Sequence, residues 1–530
     1  MSLNKGIINE EWYQKLVFFG VAIMIIAIPS SRFLMSISQI GLLALWLLHG
    51  HWKEKWQRFV TNKVALVLVS LFILHVIGVF YSTDMDYALK DLRTKIPILI
   101  IPFLFSSFPK ITQNQFERLI YFFIGSVMFV SFYVTIVHFV TLEEIRIIIS
   151  RDFISHIRFS LSVNLAIFYL IFLRVQNTHR SPLDTFAFIS LFWLLFFLFF
   201  LEAFTGIVVF VVLIFSLLFY LIYKSKHVLN KVIFFSIIIF GSLTIAILTY
   251  GFLKENTTVD KLQLSDLEMY TASGNLYSHD LEAPTENGKY IYIYICDKEV
   301  EQAWLKRSIL PYYGQDYKTQ TLRFTLYRYL TSKGLRKDKE GVEALDVQDI
   351  KNIENGIANY HYTQGVGVQA RLMKILFEYN NYIRTGNPSG HSVMQRIEFW
   401  KTSMQIIKEN RWFGVGTGDM NIAFKEQYEK MDSKLDDNSR LRTHNQYISI
   451  WVGLGLFGLG WFFFVLFYPP LKLGTFKNVY YFIFFIVFTV SMLSEDTIET
   501  QAGLTFYAFF NSFFLFLYTL QPHQDSNKVS

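Results

Sequence analysis

Long apolar runs separated by short polar connections fill the first half of the chain, and three more follow near its end. A helix of about 20 predominantly apolar residues is long enough to cross a bilayer. The pattern therefore predicts an all-α polytopic membrane protein with about twelve transmembrane helices. The predicted spans are residues 16–28, 33–48, 64–81, 98–105, 119–140, 159–172, 186–201, 205–223, 232–252, 448–468, 479–493 and 504–520.

A polar region of about 190 residues separates the ninth predicted span from the tenth, and it is too long to be a simple connection. Its periodicity predicts a mainly helical extracytoplasmic module that contains a helix with Arg396 in its first turn. Helices are expected at residues 300–309, 321–330, 347–360 and 369–382, and a strand at 290–295. The chain thus divides into residues 1–253, 254–446 and 447–530.

The short loops carry unequal numbers of Lys and Arg. If the N-terminus lies in the cytoplasm, the loops on that side are the richer in basic residues, as the positive-inside rule requires. The loops on the opposite side hold fewer basic residues, and none lies around Glu202 or Glu495. This orientation places residues 254–446 outside the cytoplasm.

Composition supports a membrane protein and argues against other classes. Apolar residues make up 52% of the chain, and 55 residues are Phe, which is too much apolar surface for one soluble domain to bury. The net charge of +7 is explained by the cytoplasmic loops, so no nucleic-acid partner is expected. A single cysteine, Cys296, excludes an intramolecular disulfide, and no Cys/His cluster has the spacing of a zinc site.

The strongest chemical signal lies directly before the tenth predicted span, at Arg440, Arg442, His444 and Asn445. An arginine guanidinium matches the planar geometry of phosphate, and a histidine exchanges a proton near neutral pH. At a membrane surface this combination suits a lipid-linked phosphate donor. The alternative is that the arginines are interfacial anchors and the histidine is a polar surface residue.

A glycine series precedes this signal, at Gly414, Gly416 and Gly418. It lacks the Gly-Lys-Ser/Thr ending of a nucleotide-binding P-loop, and no predicted strand precedes it as in a dinucleotide-binding fold. The series is therefore expected to form a tight turn between two helices.

An ordered set of motifs surrounds these residues. Trp400 follows Arg396, residues 410–418 read Asn-Arg-Trp-Phe-Gly-Val-Gly-Thr-Gly, residues 442–447 read Arg-Thr-His-Asn-Gln-Tyr, and residues 453–458 read Gly-Leu-Gly-Leu-Phe-Gly. Together they resemble the signature of the O-antigen ligase and O-antigen polymerase superfamily. Residues 328–338, with Glu495 and residues 501–503, resemble the branch of this family found in Bacteroidetes-type bacteria.

This resemblance implies a metal-independent glycosyltransferase of the C-type architecture, in the bacterial inner membrane with its active site facing the periplasm. It implies an undecaprenyl-diphosphate-linked glycan as donor, a lipid A-core sugar as the acceptor of a ligase, and no cofactor. By motif, Arg396 corresponds to the family's phosphate-binding arginine, and His444 to the essential histidine that would activate or orient the acceptor hydroxyl. Elementary chemistry agrees, because a base assists a sugar hydroxyl and arginines stabilise a departing diphosphate. Asp419 and Glu426 are the other candidate bases.

One position departs from the family pattern. The family commonly places Ser-Arg-Gly or a Lys between the seventh and eighth spans as a second phosphate ligand, whereas residues 204–206 of this chain read Phe-Thr-Gly. Basic residues at the outer ends of two other predicted spans could supply the missing charge, unless they are interfacial anchors: Arg158 and His156, or Lys95 and Arg93. Arg158 is favoured over Lys95 because a guanidinium donates two directed hydrogen bonds. Arg440 and Arg442 are alternatives.

Other functions are compatible with the same features. Within the superfamily, the chain could instead be a polymerase that joins repeat units or a transferase that moves glycan onto protein. A transporter or flippase of lipid-linked saccharides also needs many spans, but transporters usually carry charges at the membrane midplane, whereas the candidates here collect at one face. An inactive scaffold with a partner-binding outer module is the remaining alternative.

Overall fold

The computed structural model of the chain describes residues 7–141, 143–176, 183–259, 261–364 and 367–518. These residues are mainly helical, and their paired strands are a short antiparallel pair, β1 (Thr285–Glu286) and β2 (Lys289–Tyr290). The helices are α1 (Glu10–Ser30), α2 (Arg32–Leu48), α3 (Trp52–Thr61), α4 (Lys63–Val79), α5 (Met85–Phe105), α6 (Gln113–Thr141), α7 (Ile145–Asp152), α8 (His156–Gln176), α9 (Leu183–Phe200), α10 (Phe204–Lys224), α11 (Val228–Thr257), α12 (Asp297–Trp304), α13 (Leu322–Ser332), α14 (Lys339–Glu343), α15 (Val347–Glu354), α16 (His361–Gln364), α17 (Gly367–Thr385), α18 (Ser392–Glu409), α19 (Met420–Lys430), α20 (Gln446–Leu473), α21 (Val479–Ser491) and α22 (Gln501–Ser512).

The chain folds as two units. The first contains the residues up to Tyr220 together with those from Arg396 onwards, and the second contains Leu221–Gln395. Helices α1–α9, most of α10, most of α18 and α19–α22 therefore belong to the first unit. Helices α11–α17 and the strand pair belong to the second.

Among the described residues, six helices are long and apolar enough to cross a membrane: α1, α6, α8, α10, α11 and α20. A seventh span would result if α3 and α4, which are bent by 84° at a short break, cross together. Helices α2, α9, α21 and α22 are apolar but shorter, and the predicted span at residues 98–105 is only the end of α5. The chain is therefore an all-α, multi-pass membrane protein, as predicted. The total of twelve spans stays a prediction.

Polar side chains begin the helices that contribute to the candidate site. Asn62 accepts hydrogen bonds from the first turn of α4, Asp84 accepts one from Tyr87 of α5, and Asn445 accepts one from Ile448 of α20. Such caps pair N–H groups that have no partner within the helix. The cap residues therefore fix where these helices begin, including the helix that follows His444.

Helix α20 is broken at Gly455, whose backbone has φ 68° and ψ −171°. The chain that follows α18 lies in this break, where the N–H of Leu456 donates a hydrogen bond to the carbonyl of Arg411 at 2.9 Å. A Cβ atom on Gly455 would lie 2.1 Å from the Trp412 carbonyl oxygen. Glycine is therefore required here both by the positive φ and by the close approach of the two backbones.

The glycine series forms the predicted tight turn. Gly414 and Gly416 have φ values of 74° and 97°. The N–H of Gly416 donates to the carbonyl of Gly453 in α20 at 2.9 Å, and the N–H of Gly418 donates to Ser82 Oγ at 2.8 Å. The turn is thus held on one side by α20 and on the other by the residues that follow α4.

The second unit has its own core, in which Trp304, Leu326 and Tyr329 are fully buried. The helices predicted at 300–309, 321–330, 347–360 and 369–382 correspond to α12, α13, α15 and α17, with shifted ends. The strand predicted at 290–295 is wrong, since only its first residue, Tyr290, lies in β2. Tyr294 has φ 55°, which interrupts the extended backbone that the alternating side chains suggested.

Candidate active site

The segment before α20 is fixed by contacts of Thr443. Its hydroxyl oxygen lies 2.6 Å from Ser449 Oγ and 3.0 Å from Asp496 Oδ1. Ser449 donates a hydrogen bond to the same carboxylate oxygen at 2.7 Å, and the indole N–H of Trp400 donates to the Thr443 carbonyl at 3.0 Å. Helix α18, helix α20 and the segment between α21 and α22 therefore all hold the residue that precedes His444.

His444 has a left-handed backbone conformation, with φ 48°. Its N–H donates to Asp496 Oδ2 at 3.1 Å, and its ring centroid lies 5.6 Å from that of Phe399 on α18. Residues other than glycine seldom adopt this conformation, and where they do the strain is often associated with function. The hydrogen bond to Asp496 thus fixes the backbone of His444, and its imidazole lies beside the Phe399 ring.

The electrostatic surroundings favour a neutral His444. Burial lowers the pKa of its imidazole below the usual value, the negative charge of Asp496 partly opposes this, and the positive charges of Arg396 and Arg442 add to the lowering. A histidine with a lowered pKa is unprotonated at pH 7. His444 can therefore accept a proton from a bound hydroxyl group.

Arg396 lies on α18 one turn before Trp400, which bonds to the segment of His444. Its Nη2 atom is 3.6 Å from Glu495 Oε1. Because Arg396 also acts electrostatically on His444, the structure brings the two residues that the family motif singles out into one cluster.

Arg158, on α8, belongs to the same cluster through Glu495. Burial raises the pKa of Glu495, and the positive charges of Arg396 and Arg158 oppose this. The first turn of α10, which lacks the family's basic residue, lies beside them, because Thr205 Oγ1 is 3.2 Å from Ser494 Oγ. Helix α8 also bonds to this turn, since Asn164 donates to the Gly206 carbonyl at 3.0 Å. Arg158 is therefore placed next to the position where the family pattern expects a cation.

Lys95 has a different environment. Its Nζ lies 2.7 Å from Asp91 Oδ1 and 3.0 Å from Glu499 Oε2, and all three side chains are buried. Although burial opposes it, the positive charges of Lys95 and Arg442 hold the pKa of Glu499 well below its usual range. Two carboxylates thus balance Lys95, which leaves it little capacity for a phosphate.

Arg442 lies at the edge of that network. Its Nη1 is 3.9 Å from Glu499 Oε2, and its guanidinium lies 5.9 Å from the centroid of the Tyr87 ring. Gln446 anchors the same glutamate, donating to Glu499 Oε1 at 3.0 Å. Glu499 thus links Arg442 to the start of α20.

Three arginines of the site keep buried donors without a hydrogen-bond partner. Within the described part of the chain, Arg158 Nε, Arg396 Nε and Arg442 Nη1 make no hydrogen bond. Buried donors are nearly always paired in folded proteins, and unpaired ones call for an explanation. An anion with several acceptor oxygens would satisfy such donors.

The other predicted substrate ligands have different contacts. Asn445 is buried and caps α20, and its amide nitrogen donates to the Leu493 carbonyl at 3.0 Å. Arg440 donates to the carbonyls of Leu435 and Ser433, which fastens its own loop. The polar contact of His156 is with Ser150, at 3.4 Å. We therefore assign Asn445 and Arg440 structural roles and do not place His156 in the cluster.

The two other candidate bases are separate from this cluster. The carboxylate of Asp419 accepts hydrogen bonds from the N–H groups of Thr83 and Asp84, each at 2.8 Å, and so holds the loop before α5. Glu426 is exposed on α19. Neither position suits a base that must act beside Arg396.

Sequence reasoning missed the acidic segment between α21 and α22. Glu495, Asp496 and Glu499 each contact a residue of the site, yet only Glu495 was noted, as part of a family resemblance. The available signal was three carboxylates within five residues, between two apolar segments. Carboxylates at a membrane boundary need cationic partners, which the segments of Arg396 and Arg442 provide.

Residues 350–494 of the chain match the family described as O-antigen ligase. The matched residues include Arg396, Arg442 and His444 and end directly before Glu495. No curated protein matches the chain. The family match confirms the assignment predicted from the sequence motifs. It points to a glycosyltransferase-like enzyme of the O-antigen ligase or polymerase type in a bacterial membrane.

Proposed function

We propose that this O-antigen ligase family protein moves a glycan from an undecaprenyl-diphosphate carrier to a lipid A-core sugar, without a metal ion, at the periplasmic face of the inner membrane. The observation that carries the proposal is the cluster formed by His444 and three arginines with unpaired buried donors. The cluster supplies one group that accepts a proton and several that bind phosphate.

The arginines would bind the diphosphate of the donor. Arg396 and Arg158 both interact with Glu495, and Arg442 interacts with His444. When the bond between the anomeric carbon and the phosphate oxygen breaks, the diphosphate leaves with an additional negative charge. Guanidinium groups already in position stabilise this charge with little reorganisation.

His444 would act on the acceptor. Its neutral imidazole takes the proton of the acceptor hydroxyl as the oxygen bonds to the anomeric carbon, and the lipid diphosphate departs from that carbon. Proton transfer by a positioned group typically contributes about 10² to 10⁴-fold to the rate. Asp496, which holds the backbone of His444, would be a positioning residue.

Transfer by purified protein tests the proposal. The full chain in lipid nanodiscs is mixed with polyprenyl-diphosphate-linked glycan and lipid A-core, and the joined product is measured with and without a chelator. We expect unchanged transfer with the chelator, and a loss of about 10² to 10⁴-fold for His444→Ala. The matched control is His227→Ala, which alters an exposed histidine at the start of α11.

Either of two results would contradict the proposal. A wild-type rate of transfer by properly inserted His444→Ala protein would show that His444 is not the base. Joining of donor glycans to one another, with none reaching lipid A-core, would instead make the chain a polymerase.

A further inference from the structure

The second unit contains a cavity of about 320 Å³ that the proposed reaction does not use. This volume lies at the lower end of the range for small-molecule sites, roughly 300–1,000 Å³. Small-molecule sites are usually lined mainly by apolar side chains. Here, Met373 is the one apolar side chain among the described residues that line the cavity. A purely hydrophobic ligand therefore does not fit.

The charged groups of the lining neutralise one another. Arg328 donates to both carboxylate oxygens of Glu286, at 2.7 and 3.0 Å. Asn359 and Tyr362 donate to the same carboxylate, at 3.0 and 3.1 Å. The other two charged lining residues, Glu255 and Lys289, are opposite in sign. The lining therefore has no net charge and does not suit a diphosphate.

The remaining lining groups are mostly amides, hydroxyls and an imidazole. Side-chain amides donate and accept hydrogen bonds at once, and so do hydroxyls. The exposed side chains of His361 and Gln369 contribute such groups, whereas Asn359 and Ser332 are buried and already bonded. Neighbouring hydroxyls of a sugar ring present the same mixture of donors and acceptors, without a charge.

The cavity lies at the end of a helix that could cross the membrane. Glu255 and Asn256, in the last turn of α11, contribute to its lining. The turn between β1 and β2 packs against the same end of α11, where a Cβ on Gly288 would lie 2.6 Å from the Thr258 carbonyl oxygen. A ligand in this cavity would thus be close to the membrane surface.

We propose that this cavity binds an uncharged saccharide segment of a membrane-anchored glycan. Its neutral polar lining matches sugar hydroxyls, and its place at the end of α11 matches a glycan that is attached to lipid. The inference rests on the proposed function, which supplies two such glycans, the donor chain and the acceptor core. Both have the same hydroxyl chemistry.

Saturation-transfer NMR on the full chain in nanodiscs tests the proposal. The probes are two lipid-free oligosaccharides released by mild acid from the host's own glycolipid, one from the long chain and one from the core. We expect saturation of at least one probe by the wild-type protein. In the double variant His361→Ala/Gln369→Ala, the affinity for that probe should fall about tenfold, because two exposed hydrogen-bonding groups are lost. The control is Gln315→Ala/Gln320→Ala, which alters two exposed side chains of the same unit outside the cavity lining.

The probe that is saturated identifies the donor chain or the core as the source. Equal saturation in the cavity variant and the wild type would overturn the proposal, and so would a lack of saturation of both probes. His444→Ala separates this inference from the proposed function, because it should abolish transfer and leave saccharide binding intact. Transfer by His444→Ala would contradict the proposed function, whereas saccharide binding by the same variant would still support the cavity proposal.

Discussion

His444 receives its position and its protonation state from different neighbours. Asp496 bonds to the backbone N–H of His444, which supports the left-handed conformation, but its negative charge also favours the protonated imidazole. Burial and the two nearby arginines act in the opposite direction and prevail, so the pKa is lowered. Asp496 thus holds the backbone of His444 while the pKa of the imidazole stays lowered.

The pH dependence of transfer should reveal this balance. Because the pKa of His444 is lowered, activity should be constant near pH 7 and should fall only below the usual histidine value of about 6.5. Asp496→Asn removes the negative charge that favours the protonated imidazole. The acidic limb of the kcat profile should therefore move to lower pH, while kcat at neutral pH falls as His444 becomes less well held.

A profile measured for Thr497→Val provides the comparison, since this change alters the neighbouring residue and leaves the Asp496 carboxylate in place. A shift of the Asp496→Asn limb to higher pH would contradict the proposed electrostatics. An unchanged limb would show that the titrating group is not His444.

At the scale of elements, helix α8 places a basic residue beside the first turn of α10. The family pattern expects a basic residue at the start of α10, where Thr205 lies, and Arg158 on α8 is linked to this helix turn through the contacts of the neighbouring residues Ser494 and Glu495. A cation can act on the same phosphate from either element, because the Coulomb interaction depends on distance and not on connectivity.

The effect of removing this charge, and of restoring it at the family position, can be measured as a change in KM. Arg158→Ala should raise the KM for the lipid-linked donor by about 10 to 100-fold, the effect of losing a charge-assisted hydrogen bond. Adding Thr205→Arg to that variant should recover part of the loss, since it returns the charge to the family position. Arg174→Ala, near the other end of α8, should leave the KM unchanged. An unchanged KM for Arg158→Ala would contradict this role. So would a KM of the double variant Arg158→Ala/Thr205→Arg that is as high as that of Arg158→Ala alone.

The break in α20 should be essential to folding. Gly455→Ala places a Cβ against the backbone of Trp412 and imposes a conformation of positive φ and extended ψ, which is essentially confined to glycine and costs about 1–3 kcal/mol. We expect a marked fall in the melting temperature of the purified protein. Gly460→Ala is the matched control, because this glycine of the same helix has open space around it and the change should raise helix propensity. Equal melting temperatures would show that the break tolerates a side chain.

The apolar helices were predictable because their signal is local. The run at 448–468, for example, predicts most of α20. The break at Gly455 was not predictable, since it depends on the chain around Trp412, which is distant in sequence. The same holds for the strand at 290–295, where alternating side chains favoured an extended backbone that Tyr294 does not adopt.

Across the whole molecule, residue types were easier to predict than their partners. The motifs singled out Arg396 and His444 from local patterns, whereas the ion pairs of Lys95 with Asp91 and Glu499 depend on how α5 packs against the segment before α22. A sequence alone gives Lys95 and Arg158 similar standing as phosphate ligands. The tertiary structure distinguishes them, because Asp91 and Glu499 neutralise Lys95, whereas Arg158 retains a donor without a hydrogen bond.

The orientation of the whole molecule is predicted from its basic loops and can be tested with introduced cysteines. The unaltered chain provides the blank, because its one cysteine, Cys296, is buried. Lys306→Cys lies in the polar module and Lys53→Cys lies on α3, and both side chains are exposed. Since the segment around Lys53 is rich in basic residues, the positive-inside rule predicts that it lies in the cytoplasm and the module outside.

A membrane-impermeant maleimide should therefore label Lys306→Cys in intact spheroplasts, and should label Lys53→Cys only after lysis. Labelling of both in lysed cells shows that both thiols react. The opposite pattern would place the polar module in the cytoplasm. It would also contradict the proposed periplasmic site, because His444 lies at the end of this polar region, directly before α20.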